Sequence, residues 1–184
     1  MTPEQETHKI THNKSQGLID YAYRFARDAH KGQLRKYTGD AYIEHPIAVA
    51  KVVASVTDDC DMIAAAFLHD TVEDTWAENK DIIEAFGQRV AMFVNELTQF
   101  SVSSDGNRAI RKELDARYLS RVSIPAKTIK IADLIHNSES IMMYGGDFAS
   151  VYIKEMEHLL NCSLFDGNSE LLSKAKSLVR EYKC

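Results

Sequence analysis

Residues 67–75, FLHDTVEDT, set one histidine and three carboxylates, His69, Asp70, Glu73 and Asp74, within six positions, directly behind the apolar run AAAFL. An amphipathic helix turns its charges away from its apolar residues, so charge packed this tightly behind such a run points to a site. On a helix His69 and Glu73 fall four apart, as do Asp70 and Asp74, and both pairs share a face. Adjacent His69 and Asp70 would point about 100° apart, which suits two neighbouring ligands of one ion. Two further segments carry similar chemistry. AYIEHPI holds His45 at the start of a helix, and KIADLIHN holds Asp133 among Ile131, Ala132, Leu134 and Ile135. A buried aspartate is costly without a partner, and a cation is one such partner. Two imidazoles and two carboxylates suit Mn²⁺, Fe²⁺, Zn²⁺ or Mg²⁺, and such an ion can activate water. Each residue also has a plain alternative. His45 before Pro46 fits a capping or packing histidine, and Asp133 fits an ion pair with Lys127 or Lys130.

The elements that must position these groups read as helices nearly throughout. Leu18, Tyr21, Ala22, Phe25, Ala26 and Ala29 mark one face of a first helix, followed by the loop LRKYTGDAYIE. Pro46 fits the first turn of a second helix, and Asp58 or Asp59 can cap a third, CDMIAAAFLHDTVED. Helices follow around DIIEAFG, closed by Gly87, and RVAMFVNELT; SVSSDGN is a loop. RAIRKELDARYLSRV and AKTIKIADLIHNSESIMMY are long helices, Gly145-Gly146 breaks the chain, and FASVYIKEMEHLLNC and SELLSKAKSLVREY close it. The fold class expected is all-α, one domain over residues 16–184 with roughly eight or nine helices, behind a loose polar leader over 1–15.

Composition narrows the functions. The 184 residues, 45% hydrophobic and 27% charged, suit one soluble domain with a sizeable core. A net charge of −5 argues against a nucleic-acid partner, which needs a basic face. No apolar run approaches the roughly 20 residues of a membrane span, and the polar start lacks a signal-peptide core. Cys60, Cys162 and Cys184 are odd in number and far apart, as expected of reduced thiols in a cytoplasmic protein. Cation clusters for a phosphorylated small molecule are present: Lys127 and Lys130 precede Asp133, and Arg108, Arg111 and Lys112 lie in NRAIRK. Each of these cations also fits a plain ion pair with Glu113 or Asp115, or a place in solvent.

The order AHKGQLRK, YIEHPIAVA, AAFLHDTVEDT, EAFGQRVAMFVNELT, KIADLIHN resembles the hydrolase domain of the RelA/SpoT homologue family, over roughly residues 18–145. That family lies within the HD-domain metal-dependent phosphohydrolases, and HD-x-x-ED-T is far more specific than HD alone. The resemblance implies a stand-alone small alarmone hydrolase, similar to the metazoan SpoT homologue. It would release pyrophosphate from the ribose 3′ position of (p)ppGpp or (p)ppApp and leave the 5′-nucleotide. It implies His45, His69, Asp70 and Asp133 as metal ligands, usually of Mn²⁺, and Glu73 and Asp74 as the acids acting on water and leaving group. Arg35 and Lys36 would meet the base and Asn137 would face the nucleotide; Lys130, Arg108 and Lys112 are the candidates for the pyrophosphate. KYTGDAYIE and QFSVSSDGN depart from the family's usual sequence in places that border the nucleotide, so base preference stays open, as does the choice between monomer and homodimer. Two rivals remain: another HD phosphohydrolase, such as an NADPH 2′-phosphatase or a nucleotidase, and a non-catalytic nucleotide-sensing module. Orthophosphate as product would mark the phosphatase, and loss of a ligand residue would mark the sensor.

Overall fold

The computed structural model describes the backbone of residues 3–183 and the side chains of residues 16–183; the expected leader over 1–15 lies outside the residues described in full. The helices are α1 (Pro3–Ala29), α2 (Glu44–Ala54), α3 (Cys60–Leu68), α4 (Thr71–Asp74), α5 (Asn79–Phe86), α6 (Gln88–Leu97), α7 (Arg108–Leu119), α8 (Ile124–Tyr144), α9 (Asp147–Cys162) and α10 (Ser169–Lys183). A 3₁₀ turn, Ser103–Asp105, interrupts the loop before α7. Among the described residues there is no β-strand, only an isolated bridge between Leu34 and Ala41. The fold is all-α.

Helix α3 lies at the centre, against α1, α2, α6 and α8. It is apolar nearly all round: Met62, Ile63, Ala64, Ala65, Ala66 and Leu68 are buried, and its three alanines let neighbouring backbones come close. Asp59 caps it, its side chain accepting from the amides of Asp61 and Met62. Helix α8 passes beside it and buries Ile129, Ile131, Ala132, Leu134 and Ile135. Pro125 sits in its first turn, and Ser123 caps it by accepting from Ala126 N–H. Helix α1 buries Ala22 and Ala26 fully. Tyr21, expected on the same face, is half exposed and lies across Phe86 with ring centroids 4.9 Å apart.

Two local features aim the candidate site, the break after α3 and the loop before α2. The expected third helix is not continuous: α3 ends at Leu68, His69 and Asp70 form a turn, and α4 begins at Thr71. Thr71 Oγ1 donates to the Leu68 carbonyl (2.6 Å), occupying an acceptor that the helix end leaves free. The loop 33–42 folds back on itself, with Tyr42 N–H donating to Gln33 O (2.9 Å) and Arg35 N–H to Asp40 O (2.8 Å). Gly39, at φ +75°, supplies the left-handed residue that this reversal needs. Gly87, at φ +83°, turns the chain between α5 and α6. Among the described residues, no helix is long and apolar enough to cross a membrane.

Candidate active site

Three elements bring four side chains together. His45, in the first turn of α2, is 1% exposed; His69, at the end of α3, is 3% exposed; Asp133, in the middle of α8, is 5% exposed. Asp70 completes the group from the turn that breaks the third helix. His69 Nε2 lies 3.3 Å from His45 Nε2 and 3.2 Å from Asp70 Oδ2. His45 Nε2 lies 3.1 Å from Asp133 Oδ1 and 3.5 Å from Asp70 Oδ2, while His69 Nε2 and Asp133 Oδ1 are 3.8 Å apart. The break is what allows this, because it turns adjacent His69 and Asp70 so that their tips meet.

The chemistry of the donor set fits a divalent cation. His69 Nδ1 faces the Ala66 carbonyl at 2.8 Å and donates to it, which leaves the Nε2 lone pair aimed at the centre. His45, His69 and half-buried Asp70 place three ligand atoms together, and buried Asp133, 3.1 Å from His45 Nε2, completes an N₂O₂ set for a borderline ion. Without an ion, burial alone would lower the His69 pKa, but Asp70 and then Asp133 outweigh it and raise it to about 9. Burial also opposes the charge on both aspartates. His69 and His45 outweigh it at Asp70, and Lys130 followed by the histidines does so at Asp133, holding both carboxyls well below the usual range.

The surrounding groups orient these four. Lys130 Nζ donates to Asp133 Oδ2 (2.7 Å), and Asn137 Nδ2 donates to Asp133 Oδ1 (2.6 Å). Asn137 Oδ1 in turn accepts from Arg35 Nη2 (2.8 Å), so Asn137 links Arg35 to Asp133. Tyr42 O–H lies 2.6 Å from Asp70 Oδ2 and 3.2 Å from Asp74 Oδ2. His45 Nδ1 lies 2.8 Å from His136 Nδ1. Burial, then His45 and Arg35, lower the His136 pKa to about 4. Tyr42 and His136 were not singled out from sequence, although YIEH and LIHN contain them; a tyrosine or histidine beside a ligand residue is too common a pattern to mark one.

Glu73 and Asp74 extend from α4 beyond the cluster, with exposed side chains. Glu73 Oε2 accepts the Gln99 amide at 3.0 Å. Although both residues are exposed overall, partial desolvation of their carboxyl ends, followed by neighbouring acids, raises both pKa values from their ordinary ones; Asp70 is the chief neighbour at Asp74. Trp76, two residues further on and 64% exposed, lies 5.7 Å from the ring of Phe25.

Two cavities lie near the cluster, the smaller reaching His45 itself and the larger reaching Glu73 and Lys130 beside it. The larger, about 410 Å³, is lined by Glu73, Gln99, Phe100, Lys112, Tyr118, Lys130, Lys154 and His158, among others. The smaller, about 230 Å³, is lined by Arg35, His45, His136, Ser140, Met143 and Tyr144, among others. The expected basic residues therefore divide. Lys112 and Lys130 line the larger cavity, where Lys154 and His158, unforeseen from sequence, join them. Arg108 lines neither cavity: it is held in a two-pronged ion pair by Glu155 (2.8 and 2.7 Å). Lys127 is buried and pairs with Asp166 at 2.8 Å, away from Asp133. Arg35 lines the smaller cavity, whereas Lys36 is exposed and lies over the Tyr37 ring at 5.3 Å.

The HD domain family matches residues 22–141. The chain belongs to the HD-domain family. This HD domain is homologous to that of the RelA/SpoT proteins. It is 37% identical over 123 residues to the bifunctional (p)ppGpp synthase/hydrolase SpoT of Escherichia coli K12, covering 65% of this chain and 17% of that protein. It is 35% identical over 147 residues to a probable GTP pyrophosphokinase of Mycobacterium leprae, covering 77% of this chain and 18% of that one. The chain thus spans less than a fifth of the length of these curated relatives. Among solved structures it resembles a metazoan ortholog of SpoT, described as hydrolysing ppGpp, with a TM-score of 0.81 and 26% identity, covering 89% of this chain and 94% of that one.

Proposed function

We propose that this HD domain is a metal-dependent pyrophosphohydrolase of alarmone nucleotides, (p)ppGpp, (p)ppApp or both. The observation that carries the reading is the meeting of His45, His69, Asp70 and Asp133 at one point, with Glu73 beside it and a cavity whose walls carry Lys112, Lys130 and Lys154 together with Glu113, Asp115 and Glu155. These four residues would hold the ion, Mn²⁺ in this reading. When bound, the ion supplies Lewis acidity toward a phosphoryl oxygen and lowers the pKa of water.

The remaining roles fall to the chain's own groups. Glu73, held by the Gln99 amide and more basic than an ordinary glutamate, takes a proton from the attacking water. The water oxygen bonds to the phosphorus on the ribose 3′-oxygen as the phosphorus–oxygen bond breaks. Asp74, one residue on and more basic than an ordinary aspartate, passes a proton to the departing ribose oxygen. Lys112, Lys130 and Lys154 in the larger cavity hold the pyrophosphate. Arg35, tied to Asn137 and lying over the Tyr42 ring with its guanidinium carbon 5.8 Å from the centroid, meets the base in the smaller one. Anion-exchange analysis of products tests this, with the Mn²⁺-loaded protein incubated separately with ppGpp, ppApp and NADPH. Pyrophosphate from either alarmone is the expected result, and the ratio between them reports the base preference. Turnover of NADPH to orthophosphate with no turnover of either alarmone would overturn the proposal.

A further inference from the structure

His136 follows Asp133 by three positions on α8 and lies against His45 rather than in the four-residue cluster. The two Nδ1 atoms are 2.8 Å apart, and the rings are tilted by 31° with centroids 5.0 Å apart. At that separation only one of the two nitrogens can carry a hydrogen, so one donates and the other accepts. We infer that His136 is a positioning residue for the metal centre: its Nδ1 accepts the Nδ1–H of His45 and so fixes the tautomer in which His45 Nε2 offers its lone pair to the ion. The inference rests on the metal-binding reading and adds to it the chemical job of a side chain outside the four-residue cluster.

Three observations support this direction. His45 Nε2 points at the cluster, 3.3 Å from His69 Nε2 and 3.1 Å from Asp133 Oδ1. A hydrogen on that nitrogen would remove its lone pair, so a ligating His45 carries its hydrogen on Nδ1. At His69 the same task is done by the Ala66 carbonyl, which accepts from Nδ1 at 2.8 Å. The two ligand histidines are therefore oriented alike, one by backbone and one by a second imidazole, as metal-ligating histidines are generally held by an acceptor on the far nitrogen. Finally, His45 is 1% exposed, so in the folded protein its Nδ1 meets the His136 ring rather than solvent.

Divalent-ion affinity, measured by competition with a chelating indicator in the absence of nucleotide, tests the inference in the full chain. His136→Phe keeps a ring and removes the acceptor, and it should weaken Mn²⁺ binding by about 10–100-fold. His136→Asn, whose carboxamide oxygen can stand near the Nδ1 position, should recover most of that loss. Recovery by asparagine separates hydrogen bonding from packing. An affinity unchanged in His136→Phe, or equally weak in both variants, would overturn the inference. Should His136→Phe fail to fold, nitrogen-15 NMR of the Zn²⁺-loaded wild-type protein decides instead: His136 should carry its hydrogen on Nε2, and a hydrogen on His136 Nδ1 would overturn the assignment. A wild-type chain that binds no divalent ion would overturn the metal centre and this inference together, whereas normal wild-type binding left untouched by His136→Phe would overturn this inference alone.

Discussion

Replacing Glu73 with glutamine removes a base while keeping its shape and an oxygen for the Gln99 amide. Because Glu73 takes the proton and binds no ion in the proposed chemistry, turnover should fall by about 10²–10⁴-fold with Mn²⁺ content unchanged. Single-turnover rates and metal analysis of the same preparation check both halves. At this scale the candidate site was largely readable in sequence where residue type is informative. A histidine-aspartate pair behind AAAFL and an aspartate inside KIADLI are unusual enough to notice, and the structure brings them together with His45. Side chains whose importance comes only from a tertiary partner were not readable. Tyr42 reaches Asp70 across 28 residues, and His136 reaches His45 across 91. Arg108 shows the opposite difficulty: a cation of the right type in a suggestive cluster, whose partner Glu155 lies 47 residues away on another helix.

Among elements, α3 combines the most apolar packing with the most consequential ends. Asp59 both caps it and pairs with Arg89, which lowers the Asp59 pKa beneath the model-compound value of 3.8. Asp59→Ala should therefore lower stability at neutral pH by about 1–2 kcal/mol, the usual range for losing an N-cap. A depressed carboxyl pKa contributes stability that is present above the unfolded value and lost as pH falls through the folded one. The difference between wild type and variant, followed by urea unfolding, should accordingly be constant near neutrality and shrink below pH 3.8. The other end of α3 explains a miss in the reading from sequence. CDMIAAAFLHDTVED has helical periodicity throughout, with neither Gly nor Pro to signal a stop, yet the backbone turns at His69 and Asp70. The gain is tertiary, four polar side chains meeting at one point, and local propensity carries no trace of it.

Across the whole molecule, the cluster is fastened to α2, α3 and α8, elements far apart in sequence that meet at the core. An ion bound there ties these elements in the folded state and finds no such site in the unfolded chain. Free Mn²⁺ at 100 times its dissociation constant should stabilise the fold by about 2.7 kcal/mol, seen as a rise in melting temperature that a chelator reverses. A melting curve indifferent to both would contradict the proposed centre. The molecule also carries its own optical probe. Trp76 is the one tryptophan of the chain, exposed and two residues past Asp74. All indole emission therefore comes from the segment bearing both proposed acids. In the proposed reading, a nucleotide settling against Glu73 and Asp74 should change its wavelength or intensity, an unlabelled signal that stopped-flow mixing would separate from the slower appearance of product.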